Sequence, residues 1–116
     1  MPVILSWNAR GLGGKSKASH LKKLIFKHKV DMVLILESKC CSSSVPFSII
    51  RNFWGMANLD WVGVDVVGLS GGILCIWNKD YVSVSCSFKF QSWMLLSCRF
   101  SSPIFSSFVD VIYAPC

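Results

Sequence analysis

The chain has 116 residues, room for one small domain and no more. It is 53% hydrophobic and 16% charged, yet Asp31, Asp65 and Asp80 interrupt every stretch that could approach the ~20 apolar residues of a membrane helix. The formal charge is +6, and eight of the twelve basic residues fall between Arg10 and Lys39, which suits either an anionic partner or a solvated helix face.

The N-terminus lacks a basic segment followed by a long apolar one, so no secretory signal is expected and an intracellular location is. Six cysteines (Cys40, Cys41, Cys75, Cys86, Cys98, Cys116) are scattered, with no C-x-x-C pair and no histidine at zinc-ligand spacing. Buried thiols behaving as small hydrophobes are the expectation.

In chain order, Val3–Trp7 (V-I-L-S-W) reads as a buried strand. Gly11–Gly14 makes a flexible turn, and Ser16 is a candidate N-cap. Leu21, Leu24, Ile25 and His28 then recur at i, i+3, i+4 and i+7, one face of a helix. On this spacing His28 is expected to pack in the core and His20 to be solvated. Phe26 lies among the lysines of the outer face and breaks its polarity. Lys29–Asp31 closes the helix, and Met32–Leu36 (M-V-L-I-L) reads as a second buried strand.

Strand, helix, strand over so short a span implies a right-handed crossover with the two strands parallel. Asn8 and Glu37 each stand one residue beyond a strand, so both are expected at the same sheet edge, where open α/β sheets place their sites. Glu37 is the chain's one glutamate. An amide beside a carboxylate suits a hard cation such as Mg²⁺ or Mn²⁺. From spacing alone, a plain surface role, with Glu37 capping its strand and pairing with Lys39 or Arg10, is slightly favoured.

Residues 40–44 read as a polar linker, and Pro46 opens a short helix through Trp54 that Gly55 would stop. From Trp61 the chain reads as β: Trp61–Val66, a turn at Gly68–Gly72, and the fully apolar Ile73–Trp77, a central strand. After a turn at Asn78–Asp80, Tyr81–Phe88 alternates, with Val82, Val84, Cys86 and Phe88 inward. Trp93–Phe100 points Met94, Leu96, Cys98 and Phe100 to one side, and Phe108–Ile112 is the last strand. The whole is an α/β (α+β) architecture, a β-α-β start followed by a mostly antiparallel meander in a single domain.

Four short motifs occur in order: S-W-N-A-R-G-L-G at Ser6–Gly13, L-E-S-K at Leu36–Lys39, S-G-G-I at Ser70–Ile73 with I-W-N at Ile76–Asn78, and Y-A-P at Tyr113–Pro115. The set resembles the N-terminal half of the endonuclease/exonuclease/phosphatase superfamily, and most of all the endonuclease domain of plant LINE-type (non-LTR) retrotransposons. The resemblance implies part of a four-layer α/β/β/α sandwich, and an incomplete domain over residues 1–116. It implies DNA as partner, a nuclear location, and Mg²⁺ or Mn²⁺ held by Asn8 and Glu37, with Tyr113 near the scissile phosphate.

The chain departs from that family in three places. Cys116 stands where the family has asparagine after Y-x-P, and neither the Asp-x-Asn nor the Asp-His motif occurs. The expectation is a truncated, inactive nuclease remnant that lacks the second sheet of the sandwich and can self-associate through the face left bare. A small basic α/β module that binds nucleic acid or a protein without catalysis is the alternative.

Overall fold

The computed structural model describes residues 2–8, 15–36, 51–52, 54–55, 58–67, 70–90, 93–101 and 104–112. Among them the elements run β1 (Ile4–Asn8), α1 (Lys15–His28), β2 (Met32–Leu36), β3 (Leu59–Val67), β4 (Ser70–Asn78), β5 (Val82–Phe90), β6 (Trp93–Ser101) and β7 (Ile104–Ile112). The opening β-α-β unit has the expected parallel pairing of β1 and β2, from Ile4 opposite Met32 to Asn8 opposite Leu36. Asn8 closes β1 rather than lying beyond it.

The strands form two sheets, ordered β1-β2-β4-β3 and β5-β6-β7. The expectation that the second sheet is missing is therefore wrong. β4 is antiparallel to both its neighbours and central, as its apolar run required. Both faces of the first sheet are apolar, so each needs a cover. Val33, Ile35, Leu74 and Ile76 point toward α1, where Leu21 and Ile25 meet them. Met32, Leu34, Ile73, Cys75 and Trp77 point the other way, onto Val82, Met94, Leu96, Cys98, Phe100 and Val111 of the second sheet. The meander splits at the Asn78–Tyr81 turn because a flat continuation would leave that second face in water.

Helix α1 ends by a left-handed cap. Lys29 takes φ +51°, its N–H bonds the Phe26 carbonyl, and the Val30 N–H bonds the Ile25 carbonyl. These are the paired bonds of a Schellman motif, and Val30 joins Ile25 in the core, as that motif favours. The cap turns the chain away from the helix axis one residue after His28. That residue is consequently exposed, against the expectation of a packed histidine; His20 is exposed as expected. Ser16 lies inside the first turn, not ahead of it.

The glycine-rich segment also differs from its sequence reading. Ser70 to Gly72 already belongs to β4, with Gly72 at φ +88°, a conformation that L side chains rarely adopt. Of the helix expected from Pro46, only Arg51, Asn52 and Trp54 are described; they are helical, and Gly55 stops them at φ +91°. The rest of that segment lies outside the described residues.

The alternation of β5 fails at a bulge. Cys86 pairs with Leu96, but Phe88 pairs with Leu95, so one extra residue is accommodated between them. The slip inverts the faces beyond it. Phe88, expected inward, packs against Trp93 on the outer surface, the two rings tilted by 53° with centroids 4.7 Å apart. Lys89 turns inward, and its Nζ donates to the Gly63 carbonyl of β3 at 3.1 Å, a tie between the sheets.

Candidate functional site

Strand direction decides what meets at each end of the sandwich. β1 and β2 run together, so Asn8 and Leu36 finish at one rim. β4 runs back to Asn78, β5 returns, β6 descends, and β7 rises again to finish at Ile112, opposite Trp93. The carboxyl ends of β1, β2 and β7 therefore share a rim.

Asn8 occupies that rim on an edge strand. Val3, Leu5 and Trp7 pack toward α1, so Ile4, Ser6 and Asn8 face the opposite side. There the three-stranded second sheet stops short of β1, and all three side chains are exposed. Asn8 is engaged in an interaction of its own within the chain. Glu37 follows Leu36 and Tyr113 follows Ile112 in sequence, but both lie outside the described residues. Of the three residues singled out by the sequence, the structure thus locates Asn8, together with the chain neighbours of the other two.

Other reactive groups are sited elsewhere. Among the described residues no cluster of three His, Cys, Asp or Glu could hold a metal ion. Cys75 and Cys98 lie in the inter-sheet core. Burial pushes the Cys98 thiol up to about 11, and pushes Cys75 well above the usual thiol range, with Cys98 and Cys86 adding in the same direction. These two are inert packing groups, as expected, whereas Cys86, expected inward on β5, is exposed. Asp31 is structural too: its carboxylate accepts the Val3 N–H at 2.9 Å and fastens the start of β1 to that of β2.

Two features escaped the sequence reading. One is the Lys89 tie, created by the bulge. The other is a cleft of about 390 Å³ on the outer side of α1, lined by Ser19, Lys22, Lys23, Phe26 and Trp54. Phe26 at odds with its polar face was the available signal for it.

Among solved structures, this arrangement of one helix and two paired sheets has a match in fold. The crystal structure of the AP endonuclease LMAP from Leishmania major matches with a TM-score of 0.65 over 97% of this chain, at 15% sequence identity. The chain spans 40% of the length of that enzyme. No family model matches the sequence, and no curated protein matches it. No helix among the described residues is long and apolar enough to cross a membrane.

Proposed function

We propose that these 116 residues are the N-terminal portion of a Mg²⁺-dependent, retroelement-type DNA endonuclease domain, and that by themselves they do not turn over phosphodiesters. The observation that carries this reading is the parallel register that sets Asn8 opposite Leu36, the residue preceding Glu37, at an exposed rim. The match in fold and the order of the four motifs support it.

In this reading the Asn8 amide oxygen and the Glu37 carboxylate would hold the cation. Both are hard oxygen donors, and Mg²⁺ commonly accepts one or two protein ligands and completes its shell with water and phosphate. When bound, the metal supplies Lewis-acid stabilisation of charge developing on the phosphoryl oxygens. Asn8, on an uncovered strand end, leaves room for an extended backbone to approach. The Tyr113 phenol would donate a hydrogen bond to a phosphate oxygen.

The inactivity rests on what the residues cannot do. Both histidines are on α1, which covers the face of the first sheet opposite to Asn8. Neither can take a proton from water at the Asn8 rim. The 116 residues hold no Asp-x-Asn or Asp-His sequence to do so instead. Loss of a general base alone removes roughly 10²–10⁴ in rate.

A plasmid-nicking assay with Mg²⁺ tests this, with Glu37→Ala alongside. The expected outcome is no nicking above background for either chain. Robust nicking that Glu37→Ala abolishes would overturn the inactivity. Activity rising with the square of concentration would instead mean that a second copy completes the site. The bare inner side of β1 and the outer face of β7, where Phe108 and Ile112 are 69% and 62% exposed, make that second reading worth the measurement.

A further inference from the structure

The outer face of α1 departs from an ordinary solvated helix. It carries lysines without a single acid: from Met1 to Val30 the sequence has no Asp or Glu. Ser19, Lys22, Lys23 and Phe26 recur at i, i+3, i+4 and i+7 and so form one stripe, opposite the buried Leu21 and Ile25. Phe26, at its C-terminal end, is 88% exposed. A phenyl ring held in water has no stabilising role in the fold.

The stripe has a second wall. Trp54 packs half-buried against the helix and lines the same cleft as Phe26, Lys22 and Lys23. The stem of Lys22 runs past the Gly55 turn, its Cε 3.6 Å from where a Cβ on Gly55 would stand. This leaves two aromatic rings around an open recess with ammonium groups at its margin. Aromatic faces plus a cationic track are the two elements that bind an unpaired nucleic-acid strand, the rings stacking bases and the lysines meeting phosphates.

We infer that the Phe26–Trp54 cleft and the lysines flanking it bind single-stranded nucleic acid, at a site separate from the Asn8 rim. An acidic peptide would satisfy the lysines, but its side chains would gain little from a ring that projects instead of receding. A duplex would satisfy them as well, but it keeps its bases stacked internally, out of reach of Phe26. The site lies on the helix layer, so it does not depend on the reading of Asn8 and Glu37.

The test is fluorescence anisotropy with a labelled oligothymidylate of about twelve nucleotides, on the full chain, across a salt series. Phe26→Ala should weaken binding roughly 5- to 150-fold, the loss of one stacked base, while the circular-dichroism spectrum stays unchanged. Phe26→Trp should restore it. Lys22→Ala and Lys23→Ala should each reduce the slope of log affinity against log salt by about 0.7. Glu37→Ala and chelation of divalent ions should leave binding as it was, which separates this site from the nuclease reading. Wild-type affinity in Phe26→Ala would overturn the inference. So would equal affinity for a duplex of the same sequence, or displacement by polyglutamate at equal charge, which would assign the cleft to an acidic protein.

Discussion

Leu96 stands at the centre of β6, fully buried, on the face that meets the first sheet. Its neighbour Leu95 points to the outer surface and is only partly buried. Leu96→Ala loses, at about 0.8 kcal/mol per buried carbon, roughly 2.4 kcal/mol of transfer free energy. The cavity left behind raises the total to roughly 3–4 kcal/mol. The same truncation at Leu95 removes half-wet surface and leaves no enclosed void, so about 1 kcal/mol or less is expected. A chain of this size has on the order of 6–17 kcal/mol of stability, so the first change is severe and the second mild. Urea unfolding followed by tryptophan fluorescence gives both numbers, read as shifts in midpoint at a common slope. If Leu95→Ala costs as much as Leu96→Ala, β6 presents its other face inward and the two-sheet core is wrong.

Two further outcomes follow from local geometry and burial. Lys29 holds a left-handed conformation at the helix cap, so Lys29→Gly should raise stability by roughly 0.5–1 kcal/mol in the same urea experiment; destabilisation would deny the cap. Burial raises the Cys98 thiol from about 9 to about 11, so the folded chain keeps a proton that the unfolded chain releases. That contribution to stability is whole below pH 9 and declines as pH rises through 9 toward 11. Urea midpoints across that window should fall more steeply in the wild type than in Cys98→Ala; parallel curves would mean that the thiol is not desolvated.

Much of the fold could be read from residue order, because the periodicities are clean. Leu21 and Ile25 at helical spacing, flanked by two β-branched runs, leave little besides a parallel crossover, and β2 has the bounds its apolar run drew. The second sheet was not legible for a definite reason. Alternation along β5 and β6 says that each strand has a wet and a dry face, but not which sheet it joins. That choice is made by the far face of the first sheet, through long-range contacts such as Cys75 and Trp77 against Leu96 and Phe100.

The bulge between Cys86 and Phe88 was invisible because an inserted residue alters register without altering composition. His28 misled for a related reason: its spacing is right for the buried face, but the cap at Lys29 ends the helix before that face is covered. Asn8 was legible as a strand-end residue. The aromatic cleft on α1 was not, since Trp54 lies far from Phe26 in sequence and only tertiary packing joins them.

The Asn8 amide at the end of β1 and the Glu37 carboxylate following β2 in sequence are proposed to receive a hard cation together. Mn²⁺ titration of isotope-labelled protein, followed by paramagnetic broadening of backbone amides, tests it without any need for turnover. Broadening should begin at Asn8 and Leu36, spare Val3 and Met32 at the opposite strand ends, and vanish in Glu37→Gln. Broadening that starts elsewhere, or that persists undiminished in Glu37→Gln, would contradict it.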